Sequence, residues 1–277
     1  MSVKDLKRKN RKTVRVNRNA KTMRSYNVTH RKRLIGGGGE IKQKDGHTKA
    51  FFTFGRFQPP TSGHASLVHA VAEAAVAYGG DGYVFATSSI NKPSYIKSKK
   101  HQDMVATGRY ETCKDNQNPL KVHQKVYFLE KMNPGLGIEF IDTTECGCTT
   151  ITAVVEKLRE AGYTDLNLLV GSDRIPVFEK ILEEFPDVKV MGAGSERVMS
   201  GRNNGTIKSV SGTKVREAAI AGDLAKMERY TKIGSMTNDD VLLLTNIIRQ
   251  ALCFPPLKVK NNANRPNNRG NNMNTSA

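Results

Sequence analysis

Three short stretches of this 277-residue chain gather side chains of the kinds that hold phosphate. The first runs Gly55-Arg56-Phe57-Gln58-Pro59-Pro60-Thr61-Ser62-Gly63-His64. Its glycines permit a tight turn and a close backbone approach to a ligand, while the paired prolines stiffen the loop between them. Thr61 and His64 stand three apart, so an opening helical turn sets hydroxyl and imidazole on one side. A helix N-terminus adds free N–H groups and a positive dipole end, and an imidazole there can meet charge that builds up in a transition state. The second stretch is Ser211-Gly212-Thr213-Lys214-Val215-Arg216. Ser211 is placed to cap a helix, Gly212 and Thr213 to offer N–H groups to an anion, and the Arg216 fork to converge with the Thr213 hydroxyl on one phosphate. The third, Gly171-Ser172-Asp173-Arg174, reads equally as a helix cap or as a turn beside a ligand. Each pattern is common alone, so its place in the fold decides its weight.

The elements that position them follow from hydrophobic periodicity. A strand is expected over 51–55, then a helix with Leu67, Val68, Val71, Ala74, Ala75 and Tyr78 at helical spacing, then a strand over 83–88. A polar insertion occupies 91–118. Beyond it the pattern gives a helix near 123–132, a strand over 138–141, a helix over 151–161, a strand over 166–170 and a helix over 176–184. Strands over 188–191 and 207–210 and helices over 213–221 and 239–252 complete the series. Such alternation predicts an α/β fold, a Rossmann-like doubly wound parallel sheet with helices on both faces. Ligands of these sheets sit at the carboxyl ends of the strands, and all three stretches follow strands. Thr87, Ser88 and Ser89 end the second strand at the same edge, where they line an acceptor pocket or merely terminate the strand.

The first stretch resembles the His/Thr-x-Gly-His signature of the nucleotidyltransferase superfamily, the α/β adenylyl- and cytidylyltransferases, with Thr61 in the first position. Its Gly55-Arg56-Phe57-Gln58-Pro59 opening is most similar to archaeal-type nicotinamide mononucleotide adenylyltransferases and related phage and viral proteins. Ser211-x-Thr213-x-x-Arg216 resembles the second signature, and Asn118-Pro119-Leu120 with Gln124-Lys125 resembles a phage and viral subgroup. The resemblance spans roughly residues 50–230. It implies transfer of AMP from ATP to a phosphorylated acceptor such as nicotinamide mononucleotide, with release of pyrophosphate and a role in NAD biosynthesis. A cytidylyltransferase with a sugar or alcohol phosphate acceptor would use the same chemistry. By resemblance His64 serves the α-phosphate with Thr61 beside it, and Arg216, Ser211 and Thr213 hold the leaving pyrophosphate. Gly55, Arg56, Phe57, Gly63 and Gly212 belong to the nucleotide site, and Asp173 lies beside it. Magnesium arrives on the triphosphate, with no dedicated protein metal site. Lys121 and Lys125 are read as solvated surface lysines and given no role.

Charge divides the chain differently. With 44 Lys+Arg and 26 Asp+Glu the formal net charge is +18. Residues 1–34 carry thirteen Lys or Arg against Asp5 alone, and 258–277 carry four more with no acid, which leaves +2 on residues 35–257. A dense block of like charge with few large apolar residues cannot bury enough surface to offset its chain entropy. The expected organisation is therefore a basic disordered tail with a glycine linker over 1–49, a nucleotidyltransferase domain over 50–257, and a disordered Asn-rich tail over 258–277. The basic arm suits nucleic acid or another polyanion through counterion release, and its 7–12 stretch would pass as a nuclear-import signal. No apolar run reaches the ~20 residues of a membrane span and no leader is evident at the start, so an intracellular, cytoplasmic setting is expected, with nuclear or virion association as variants. Four scattered cysteines do not make a disulfide framework, which fits a reducing compartment, and Cys146-Gly147-Cys148 lacks the second pair a zinc site needs. A second class stays open: a non-catalytic nucleotide- or nucleic-acid-binding protein driven by its basic arm. Deleting residues 1–49 is expected to abolish salt-sensitive oligonucleotide binding and to spare small-molecule turnover. Titration at low and high salt, beside a pyrophosphate-release assay, checks both.

Overall fold

The computed structural model describes residues 41–44, 46–88, 118–193 and 210–258. Strand β1 (Lys49–Gly55) leads through a loop into α1 (Ser62–Tyr78), which ends at Gly79 in the left-handed region. Then come β2 (Asp81–Ala86), α2 (Val122–Met132), β3 (Glu139–Asp142), α3 (Ile151–Glu160) and β4 (Asp165–Val170). A 3-10 turn (Ser172–Arg174) opens into α4 (Ile175–Ile181), followed by β5 (Val188–Gly192). Three helices close the described chain: α5 (Gly212–Ala221), α6 (Leu224–Thr231) and α7 (Asn238–Ala251).

The strands form one sheet in the order β3-β2-β1-β4-β5, and every pairing is parallel. This is an α/β Rossmann-like fold. Side chains alternate across the pleat, so Phe51 of β1 packs with Val71 and Ala75 of α1, whereas Phe52 packs on the opposite face with Val154, Val155 and Leu158 of α3. In β2 the same alternation sends Val84 toward α1 and α2 and Phe85 toward α3. Because both faces are covered, the inner strands are apolar almost throughout, as buried parallel strands require.

A separate cluster forms where α5, α6 and α7 pack on α2. Val215, Met227, Val241, Leu244 and Ile248 meet Tyr127, Phe128 and Met132 there. The Tyr127 hydroxyl donates to Asp240 Oδ1 at 2.9 Å, tying α7 to α2. Arg249, in α7, donates from Nη1 to the Ala219 and Ile220 carbonyls at the C-terminal end of α5. The last carbonyls of a helix fall outside its regular ladder, and although the Gly222 amide also reaches Ala219 at 3.1 Å, the guanidinium fixes α5 from its rear.

At the amino edge of the sheet, Asp81 is 2% exposed and accepts from the Tyr163 hydroxyl at 2.6 Å, the Lys44 amide at 3.0 Å and His47 Nδ1 at 2.8 Å. Tyr83 donates to the Lys42 carbonyl at 2.8 Å, and Gln43 Nε2 donates to the Gly162 carbonyl at 3.0 Å. Residues 41–44 and 46–48 are thus bound to the base of the sheet. The tail expected through residue 49 is corrected over 41–44 and 46–48, which buried acceptors and tyrosines hold to the sheet while Ile41 packs against the core beside α3.

Other expectations shift as well. The helix expected over 176–184 is the shorter α4 behind a 3-10 turn, and α6, capped by Asp223 accepting from the Lys226 amide, has no counterpart in the periodicity. Of the strand expected over 207–210, only Val210 is described, and it lies outside any strand, packed on the cluster of α5 to α7. The basic arm over 1–34, Ser89, most of the 91–118 insertion and the Asn-rich tail beyond 258 lie outside the described residues. The sequence predicts no disulfide framework, and one local bridge is present. Gly147, at φ 67°, lets the chain double back so that Cys146 and Cys148 come within 5.3 Å between Cα atoms and join in a disulfide. Counting cysteines over the chain could not anticipate a bridge this local, and the cysteine pattern no longer argues for a reducing compartment. Among the described residues no helix is long and apolar enough to cross a membrane.

Burial acts to raise the Asp81 pKa, but the hydrogen bonds from Tyr163, the Lys44 amide and His47 outweigh it and hold the carboxyl below its ordinary 3.8. A depressed pKa contributes stability that is complete above the unfolded value and drains away as the pH falls through the folded one. Asp81→Asn is expected to cost about 2–3 kcal/mol near pH 7 and to flatten the acid limb of the stability curve below about pH 4. Urea titrations of both chains across pH 2–7 check it. A deletion of the basic arm should spare the chain from Ile41 onward.

Candidate functional site

Strand β1 is central, with β2 and β3 on one side and β4 and β5 on the other, so the chain order reverses between β1 and β4. Such a switch point opens a crevice at the carboxyl ends of the strands. The loop from Gly55 to Thr61 leaves β1 at that edge, and the turn from Gly171 leaves β4 beside it.

Gly55 closes β1 opposite Ala86. A Cβ built on it would lie 2.9 Å from the ring of Phe57, so only glycine leaves room for that ring. Phe57 is buried, holds a left-handed φ of 43° and sets its ring edge-on to His64 at 5.1 Å between centroids. A bulky residue in this region costs on the order of 1–3 kcal/mol, and burial of the ring among Val68, Val122 and Val126 offsets it. Arg56 is exposed, and its Nη2 donates to Asn118 Oδ1 at 2.6 Å.

Thr61 is the N-cap of α1, 1% exposed, and His64 lies one turn in, with Gly63 between. The expected convergence of hydroxyl and imidazole is present: Thr61 Oγ1 and His64 Nδ1 are 3.0 Å apart. The Thr61 amide also donates to Nδ1 at 3.1 Å. An amide can only donate, so Nδ1 is an acceptor, and the neutral ring carries its proton on Nε2. The helix start thereby holds a single imidazole tautomer whose donor is turned away from the cap.

The second stretch meets the first. Ser211 caps α5, its Oγ accepting from the Lys214 amide at 3.4 Å. Arg216 Nη2 donates to Thr213 Oγ1 at 3.1 Å, so guanidinium and hydroxyl converge as their spacing predicted. Arg216 Nη1 donates to the carbonyl of Gln58 at 2.5 Å, across 158 residues of sequence. Gly212 lies so close to the same carbonyl that a Cβ there would sit 2.5 Å from the oxygen. The two stretches therefore form one structure.

The third stretch stands apart. Asp173 is exposed, its Oδ1 lies against Gly171, and its Oδ2 pairs with Arg174 Nε at 3.5 Å. Gly171, not Ser172 or Asp173, caps the 3-10 turn, with its carbonyl accepting from the Arg174 amide at 2.7 Å. Adjacency of β1 and β4 puts this turn beside the first loop, without a contact between Asp173 and Thr61 or His64 among those described.

Thr87 and Ser88 are built into the edge. The Thr87 amide donates to the Gly55 carbonyl at 2.9 Å, and the Ser88 amide to Thr143 Oγ1 at 3.3 Å. Lys125 corrects the expectation of a solvated lysine: it is 0% exposed, and its Nζ donates to the Thr87 carbonyl at 2.5 Å. The sequence did carry a signal, since Lys125 falls between Val122, Val126 and Leu129 on the buried face of α2. For Gln58 no such signal exists. It is 6% exposed, Nε2 donates to the Leu120 carbonyl at 2.8 Å, and Oε1 accepts from the Leu120 amide at 3.1 Å.

The groups on the first two loops are chiefly donors and cations: His64 Nε2–H, Arg56, Lys214, Arg216 and the amides opening α1 and α5. They suit a polyphosphate. Among the described residues no group of three or more His, Cys, Asp or Glu could hold a metal ion. No protein-family model matches the chain, and no curated protein matches it significantly. Gly55→Ala is expected to push the Phe57 ring aside and cost about 1–3 kcal/mol, measured as a lower urea midpoint with an unchanged slope.

Proposed function

We propose that this chain is a nucleotidyltransferase that moves a nucleoside monophosphate, AMP from ATP, onto a phosphorylated acceptor of the nicotinamide mononucleotide kind and releases pyrophosphate. One observation carries it: the contact of Arg216 and Gly212 with the Gln58 carbonyl, which brings two phosphate-binding stretches to one edge beside the switch point. A single phosphate-binding helix start is common. Two that meet across 158 residues, one bearing a tautomer-fixed histidine and one an Arg–Thr pair, match a triphosphate whose α-phosphate reacts while its β- and γ-phosphates leave.

In this reading the acceptor phosphate attacks the α-phosphorus in line, the bond to the bridging oxygen breaks, and pyrophosphate departs. No covalent intermediate on the protein is required, so the protein supplies positioning and charge stabilisation. His64 donates from Nε2–H to an α-phosphate oxygen as negative charge grows there. Thr61 holds the ring by Nδ1 and so keeps that proton outward. Arg216, with Thr213 and the amides of Gly212 and Thr213, binds the leaving pyrophosphate as a fork. Magnesium carried by the triphosphate would neutralise part of its charge. Gly55, Phe57 and Gly63 let the backbone come close to the nucleotide, while Arg56 and Asp173 border it.

His64→Ala is expected to lower pyrophosphate release about 10²- to 10³-fold with an unchanged melting temperature, and full activity in that variant would sink the assignment. ATP with nicotinamide mononucleotide is expected to be the productive pair when ATP and CTP are tested against nicotinamide, sugar and alcohol phosphates. Arg216→Ala is expected to raise KM for the triphosphate more than it lowers kcat, because it removes a contact made before the chemistry as well as during it.

A further inference from the structure

Gln58 uses both of its polar ends, and each end holds a different part of the site. The side-chain amide forms two bonds to Leu120, donating from Nε2 to its carbonyl and accepting at Oε1 from its amide. Only a primary amide can do both, since a carboxylate accepts without donating and a hydrocarbon does neither. Leu120 is buried, and two residues before it Asn118 accepts from Arg56, so the segment 118–121 is clasped to the first loop at two points. At the other end of the same residue, the backbone oxygen accepts from Arg216 Nη1 at 2.5 Å while Arg216 Nη2 rests on Thr213 Oγ1. A guanidinium is a rigid plane, so two contacts on separate nitrogens fix its orientation as well as its place. Pro59 and Pro60 follow Gln58, both buried, and their locked rings keep the loop beyond from absorbing a displacement of Gln58, so that it is felt at the Gln58 carbonyl.

We infer that Gln58 is a positioning residue that couples the segment 118–121 to the Arg216 guanidinium, an inference that rests on the nucleotidyltransferase reading. A shift of Leu120 turns the Gln58 side chain, the turn moves the Gln58 carbonyl, and the carbonyl re-aims the fork that receives the β- and γ-phosphates. The leaving-group side of the site is therefore aligned only when the segment 118–121 is seated. The burden falls on ligands that carry the β- and γ-phosphates, and AMP, which lacks them, escapes it.

Two variants of the full chain approach the same oxygen from opposite sides. Gln58→Met keeps the volume and removes both bonds to Leu120; Gly212→Ala leaves the Gln58 side chain intact and drives a Cβ into its carbonyl. Calorimetric titrations with magnesium and ATP, inorganic pyrophosphate or AMP provide the readout. Both variants are expected to bind ATP and pyrophosphate roughly ten- to a hundredfold more weakly and AMP as the parent does. A parallel loss of AMP binding, or unchanged ATP binding in a folded variant, overturns the role of Gln58 alone. Absence of ATP binding by the unaltered chain overturns the nucleotidyltransferase reading and the coupling with it. Should Gln58→Met fail to fold, Gln58→Glu, which keeps the size and an acceptor but loses the donor to the Leu120 carbonyl, decides the matter by the same ATP, pyrophosphate and AMP titrations.

Discussion

The position of β1 at the centre of an all-parallel sheet constrains the rest of this structure. Paired on both sides and covered on both faces, β1 cannot shift its exit, so Gly55 delivers the following loop to a fixed point beside the switch. Parallel pairing sends the ends of β2, β3 and β4 to the same edge. Thr87, Thr143 and Gly171 therefore gather there although the described chain between them runs through α2 and α3 and across the sheet. The hydrogen bond from the Thr87 amide to the Gly55 carbonyl extends the ladder one step beyond the last strand pair and knits the first loop to the edge.

Three sources of rigidity converge on that loop. Phe57 adopts a left-handed backbone that its buried ring sustains, Pro59 and Pro60 are packed, and Gln58 is gripped from two directions. The gripping elements are themselves anchored far away. Arg249 holds the C-terminal carbonyls of α5, and Tyr127 with Asp240 holds α7 to α2, so the N-terminus of α5 is pressed toward Gln58 by packing behind it. Burial raises Asp240, but the Thr237 amide and hydroxyl with the Tyr127 hydroxyl bring it net below the usual carboxylate range, so it stays an acceptor at neutral pH. The opposite edge of the sheet is organised on another principle, a buried carboxylate that collects donors from a segment carried by the chain before β1. The segment over 41–48 is thereby held at the edge away from the loops that open α1 and α5.

Much of this was legible in residue order. Apolar runs bounded by glycine and polar turns gave β1, β2 and β4 nearly in place, because a strand buried on both faces needs an apolar residue at almost every position. The spacing of Thr61 to His64 and of Thr213 to Arg216 foretold which side chains would meet, since one helical turn fixes that geometry locally. What escaped has equally physical reasons. Lys125 stands on a face that periodicity marks as buried, and its charge, not its spacing, reads it as a surface lysine. Residues 41–48 lack the apolar pattern that marks a folded segment because polar bonds hold them. The Cys146–Cys148 bridge depends on one glycine conformation, and α6 is a short helix whose few apolar residues serve a cluster built by other helices.

The sequence by itself determined the local half of this protein: which segments are strands and helices, that strands alternate with helices, and which residues stand one turn apart at the start of α1 and α5. Those properties depend on neighbours a few residues away, and backbone sterics and burial periodicity express them directly. Only the tertiary structure decided that the stretch from Gly55 to His64 and the stretch from Ser211 to Arg216 meet. Gln58 reaches Leu120, 62 residues on, and Arg216, 158 residues on, through peptide groups that every residue possesses and that carry no compositional mark. Their meeting follows from the seating of α5, α6 and α7 against α2, a matter of packed shapes over long separations that no spacing within the chain encodes.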